Sequence, residues 1–126
     1  PDLWAQQPDR LINLSLVHQT RGSLFEKLER NGEAIQEYGA SLGHDPDSFW
    51  TLHNLGLLLA REGRPDLAQP HLARALTNIA ALGPGDTIDS IRPAVERTLK
   101  TALRDIAAHL ESFEGPLPAL PQTPPK

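Results

Sequence analysis

Small and apolar positions in this chain recur at a fixed stride of 34 residues. Gly22 aligns with Gly56, Ala34 with Ala68 and Leu42 with Leu76. Phe25 aligns with Leu59, Tyr38 with Leu72, and Ser41 with Ala75. A common shift that keeps the chemistry at each position marks an internal repeat, and a stride of this length suits a pair of helices per unit. In the second unit, Phe49–Arg61 reads as one helix, preceded by the breaker and cap candidates Asp45-Pro46-Asp47-Ser48. Glu62-Gly63-Arg64-Pro65 ends it, Pro65 opens the next helix at its first turn, and Gly83-Pro84-Gly85 stops that helix near Leu82. In the first unit the pattern predicts a longer helix from Asp9 to Arg30, a break at Gly32 and a partner helix over Glu33–Leu42. Gly22, Ala34, Gly56 and Ala68 are then the points where backbones approach closely, and Leu55, Leu59 and Leu72 fill the space left between them.

After Gly85 the stride fails and one stripe takes over. Ile88, Ile91, Val95, Leu99, Ala102, Ile106, Leu110 and Phe113 lie three or four residues apart, the spacing of a single apolar face on a long helix. Asp86 is its expected cap. Pro93 removes a ladder bond and predicts either a kink or a separate short first turn capped at Ser90. The stripe can cover the open end of the second helix pair, as terminal repeats require. It can also pair with a second copy through Ile88, Ile91, Val95, Leu99, Ile106 and Leu110. The expected divisions are an extended lead-in over 1–8 carrying Trp4, helix pairs over 9–46 and 47–83, the long helix over 86–113, and a proline-rich tail or linker over 114–126. The last has the composition of a polyproline-II segment, a weak candidate ligand for proline-recognising domains.

Composition narrows the functional classes. With 126 residues the chain suits one domain, and with 5% aromatics its core must come from Leu, Ala and Ile, which favours helices over a β-sandwich. A net charge of −4, with the basic residues dispersed among acids, gives no reason to expect nucleic-acid binding. The absence of cysteine excludes disulfides, zinc-thiolate sites and thiol nucleophiles within this sequence. The apolar run Leu57–Ala60 is far too short to insert in a membrane, and no signal peptide is visible. A start at Pro1 with no methionine anywhere reads as an excised or processed piece.

The stretch Leu52-His53-Asn54-Leu55-Gly56-Leu57-Leu58-Leu59 resembles the first-helix motif of the tetratricopeptide repeat, with Leu52 where tryptophan is usual. Gly63, Ala68, Leu72 and Ala75 stand at that family's turn and second-helix positions. The first unit is similar through Gly22, Phe25, Ala34, Ile35, Tyr38 and Asp45-Pro46. It departs at His18 and Arg21, where large apolar residues are usual, and its turn glycine is displaced to Gly32. The resemblance covers residues 15–82. No third repeat follows, because Asp86, Asp89 and Pro93 occupy positions that should be apolar. The resemblance implies an all-α, tetratricopeptide-like solenoid of two helical hairpins followed by a long amphipathic capping helix.

It also implies a concave groove that binds a peptide or helix of another protein. By position the groove takes Gln19, Ser23, Glu26 and Lys27 from the first unit and Trp50, His53, Asn54, Leu57 and Arg61 from the second. Trp50 and Arg61 are the expected anchors, since each offers a large contact area with a polar tip. Some members of the family grip a C-terminal carboxylate with Lys, Arg and Asn; only Asn54 matches here, with Gln19 and Ser23 where that clamp needs Lys and Asn, so chaperone-tail binding is not expected.

Catalytic and metal motifs are missing from the sequence. The histidines His18, His44, His53, His71 and His109 form no zinc-protease pair, although His53 and His71 lie on facing helices. No nucleophile elbow and no phosphate-binding glycine loop occurs. The expectation is a protein–protein interaction module, with no enzyme activity and no cofactor, belonging to a larger assembly or export protein. The alternatives are self-association through the long helix and a regulatory or spacing domain fused to an enzyme.

Overall fold

The computed structural model describes residues 13–112, Gly115 and residues 117–121, without the side chains of residues 86–88. Among them the chain forms five helices and no strand. These are α1 (Leu14–Lys27), α2 (Asn31–His44), α3 (Phe49–Arg61), α4 (Pro65–Ala81) and α5 (Asp86–Ser112). The all-α expectation is therefore met, and the expected lead-in over 1–8 lies outside the described residues.

Local capping chemistry moved several boundaries. The first helix does not run from Asp9 to Arg30. It starts after Asn13, which is extended (φ −97°, ψ 94°) and whose Oδ1 accepts the Leu16 N–H at 3.1 Å. An Asn in that role satisfies a donor that a longer helix would have satisfied internally. At the other end the chain leaves α1 after Lys27 and enters α2 at Asn31, so Gly32 sits inside the first turn of α2 and breaks nothing. The reversal is made by Glu29, in the left-handed region with φ 59°. The Arg30 N–H bonds the Phe25 carbonyl (2.9 Å) and the Glu29 N–H bonds that of Glu26 (3.0 Å). The same pair of bonds recurs 34 residues on. Arg64 N–H bonds Leu59 C=O (2.9 Å) and Gly63 N–H bonds Ala60 C=O (3.1 Å), with Gly63 at φ 80°. Both ends are Schellman turns, which satisfy the last carbonyls of a helix through one left-handed residue. The Arg30 guanidinium also lies 4.9 Å from the Phe25 ring centroid, across the first of these turns.

A non-glycine residue in the left-handed conformation is strained by about 1–2 kcal/mol. Glu29→Gly is expected to raise stability by up to about 1 kcal/mol, once the greater entropy of glycine in the unfolded chain is subtracted. Urea unfolding checks this, and a midpoint that falls would show that Glu29 contributes more than backbone geometry.

Consecutive helices pack on one another, α1 on α2, α2 on α3, α3 on α4 and α4 on α5. The expected seam is buried: Gly22 and Gly56 are buried, and Ala34 and Ala68 are fully so. Gly22 lies against the ring of Tyr38, and Gly56 against Leu72. Hydroxyl groups bind the first pair to the second. Ser41 on α2, fully buried, bonds Ser15 on α1 (Oγ–Oγ 2.9 Å) and Thr51 on α3 (2.8 Å). The Ser15 Oγ also lies 3.0 Å from the Ser41 carbonyl and the Ser41 Oγ 2.8 Å from the Ser15 carbonyl, so each hydroxyl has an acceptor for its single proton and buried polar atoms at this junction are paired.

The long helix is one element. It passes through Pro93 without a separate first turn, and Gly85 rather than Asp86 holds the cap position, since the Asp89 N–H bonds the Gly85 carbonyl at 2.7 Å. Its stripe is used inside the chain. Leu99 is fully buried and Ile106 nearly so, with Val95, Ala102, Leu103 and Leu110 packed beside them. Arg92 extends to the end of α4 and donates to the carbonyls of Leu82 (2.8 Å) and Gly83 (3.1 Å). Of the residues named for self-association, Leu99 and Ile106 are buried within the chain, Val95 and Leu110 lean on the same core, and Ile91 is half-buried. The side chain of Ile88 lies outside the described residues.

The opposite end of the molecule carries an uncovered apolar row. Leu14, Val17 and Leu24 on α1, and Leu28 at its C-cap, are all exposed. Val17 and Leu24 are the counterparts, at a stride of 34, of Thr51 and Leu58, both fully buried. Residues 117–121, expected as a tail or linker, lie instead against the rest of the chain, with Leu120 packed on the core. Among the described residues no helix is long and apolar enough to cross a membrane.

Candidate functional site

The face shared by α1 and α3 holds most of the sequence-derived groove. Ser23, Glu26 and Lys27 of α1 and Asn54 and Arg61 of α3 line one open pocket of about 350 Å³, together with Tyr38 of α2. Helical spacing places Ser23, Glu26 and Lys27 on neighbouring turns of one helix, and the stride of the repeat sets Arg61 on α3 where Lys27 stands on α1.

Glu26 organises the pocket. The Tyr38 hydroxyl donates to its Oε1 at 2.8 Å, and the Arg61 guanidinium pairs with its Oε2. The Ser23 hydroxyl, 3.2 Å from the Tyr38 oxygen, donates to it in turn. Burial, reinforced by the Glu26 carboxylate, pushes the Tyr38 hydroxyl up to about 12, against the opposing hydrogen bond from Ser23. Tyr38 therefore stays protonated, and a donor, throughout the neutral range. Its ring is fixed in the core against Gly22 while its oxygen reaches the pocket. Tyr38 was legible as a repeat position but not as part of this site, because only helix packing brings its hydroxyl to Glu26.

The remaining groove candidates divide. Trp50 is 42% exposed, with its ring edge-on to Phe49 (4.9 Å) and His53 (5.7 Å). Phe49 is buried and holds this aromatic group in place from below. His53 is half-buried, its Nδ1 3.1 Å from the Asn54 Oδ1. Gln19 is half-buried and lies outside the pocket lining. Leu57 is partly buried, not fully exposed, and packs against the core.

The two departures from the apolar pattern have a structural cause. His18 Nδ1 lies 2.6 Å from the Glu37 Oε2, and Arg21 lies 3.1 Å from the other oxygen of the same carboxylate. A polar partner on α2 thus replaces the apolar contact expected there. The histidines brought together are His18 and His44, stacked at 5.5 Å, whereas His53 bonds Asn54 and the His71 Nδ1 bonds the Leu67 carbonyl. Among the described residues no three His, Cys, Asp or Glu side chains converge in a metal-holding group.

Comparison with protein-family models, with curated proteins and with solved structures gives no match. The tetratricopeptide assignment accordingly has no support beyond this chain's own residues.

Proposed function

We propose that the chain is a two-repeat, tetratricopeptide-like solenoid that binds a segment of another protein across α1 and α3. The observation that carries this reading is the convergence of Ser23, Glu26, Lys27, Asn54 and Arg61, from helices one stride apart, on one open pocket. Internal periodicity supports the solenoid: the Schellman turns and the Gly22–Tyr38 and Gly56–Leu72 contacts repeat at 34 residues. Capping by α5 supports it further, because a stack of helix pairs needs a closed end. The half-exposed Trp50 supplies the aromatic contact area that binding surfaces favour.

The pocket is read as a binding site and not as a catalytic one. Its carboxylate, Glu26, is engaged by both Tyr38 and Arg61. Partner residues that hydrogen-bond to Asn54 and Lys27 would be positioned beside it, with an apolar side chain against Trp50. Membership of a larger assembly remains part of the proposal, as does the absence of a cofactor.

The test is selection of binders from a displayed peptide library, followed by measurement on the Trp50→Ala, Arg61→Ala double variant. Capture should weaken by at least about thirtyfold, the loss typical of two anchors. The melting midpoint should fall only modestly, since Arg61 is largely exposed and Trp50 is half-exposed outside the core. Undiminished capture would refute the mapping of the groove.

A further inference from the structure

We infer that the rim made by the two Schellman turns is a docking surface for a proline-rich segment, filled in cis by residues 117–121 of the chain itself. Three contacts define it. Pro118 lies over Gly63, where a Cβ would come within 3.0 Å of the Pro118 Cγ. Arg64 Nη1 donates to the Pro118 carbonyl at 3.3 Å. Pro121 closes a pocket of about 300 Å³ between Glu62, beside Gly63, and Asn31 and Glu33 at the neighbouring turn. Leu120, between the two prolines, packs on the core.

The chemistry suits a proline segment. Such a chain has no internal hydrogen bonds, so its carbonyls need outside donors, while its rings need shallow apolar niches. Arg64 is a donor held in advance: its Nε and Nη2 are bound by both oxygens of Asp66 (3.0 and 2.9 Å), which aims the remaining Nη1 outward. Gly63 does two things at once. Its φ of 80° makes the turn, and its missing side chain makes the niche for Pro118. Recognition needs Pro118, Leu120 and Pro121 at their present spacing, so an external segment with a Pro-x-Leu-Pro order would compete for the same rim. The surface is separate from the α1–α3 pocket and does not depend on the binding role proposed for it.

The experiment uses the full chain. Pro118→Ser with Leu120→Ser detaches the tail and leaves the rim intact. A fluorescent peptide copying residues 115–122 is then titrated against the wild-type chain, this variant, and this variant carrying Arg64→Ala in addition, with helix content checked by circular dichroism. The detached-tail variant should bind the peptide at least about tenfold more tightly than the wild type, whose own tail competes at high effective concentration. Arg64→Ala should weaken that binding by about tenfold, while leaving the helices formed. Equal affinity for wild type and variant, or no binding to the variant, overturns the inference.

Discussion

Gly56→Ala is expected to destabilise the chain by about 1–3 kcal/mol, although the same change inside a helix normally stabilises by about 0.5–1 kcal/mol. The sign is reversed by packing. A Cβ at residue 56 would lie 2.5 Å from Leu72 Cδ2, 2.6 Å from its Cγ and 3.4 Å from its backbone nitrogen, and Leu72 is fully buried. Gly22→Ala should behave alike, with a Cβ 2.6 Å from the Tyr38 ring, which its hydroxyl contacts prevent from turning away. Gly39 and Gly43, also helical, face nothing within 4 Å, and alanine there should stabilise. Four urea curves decide the matter. Stabilisation at all four positions would mean that the helices are farther apart than described.

A second large effect separates two leucines that stand one stride apart. Leu58→Ala should cost about 2–5 kcal/mol, the range for truncating a buried leucine. Leu24→Ala should change stability by less than about 0.5 kcal/mol. Leu58 is fully buried against its neighbours, while Leu24 is 57% exposed on the outer row of α1. Similar losses at both positions would show that something covers α1 in solution.

The fold was largely legible in the chain. The 34-residue stride marked Gly22, Ala34, Gly56 and Ala68 as buried close-approach positions, and all four are buried, because a close approach of helices restricts residue size. That Gly22 meets Tyr38 and Gly56 meets Leu72 came from the structure. The stripe from Val95 to Leu110 foretold its burial, since three-and-four spacing puts every member on one face. Boundaries were read less well. Asn13 and Gly85 replaced the expected starts, and Glu29 made a turn that Gly32 was expected to make. A left-handed glutamate leaves no signature, because the surrounding bonds impose its conformation.

The pocket was legible in part. The resemblance put Ser23, Glu26, Lys27, Asn54 and Arg61 on one face, and these five line a common pocket. Tyr38 was missed because its hydroxyl arrives from a third helix. Leu57 is less exposed than expected, because a position at the edge of a groove is also at the edge of the core.

By itself, then, the sequence determined the helical class, the repeat and the buried small-residue seam, all consequences of spacing along the chain. Tertiary structure alone decided that Glu26 joins Tyr38 to Arg61, that Glu37 gathers His18 and Arg21, and that Pro118 returns to Gly63. Each of these joins residues from separate helices or distant segments. Spacing fixes which face of a helix a residue occupies, but only packing fixes which other face it meets.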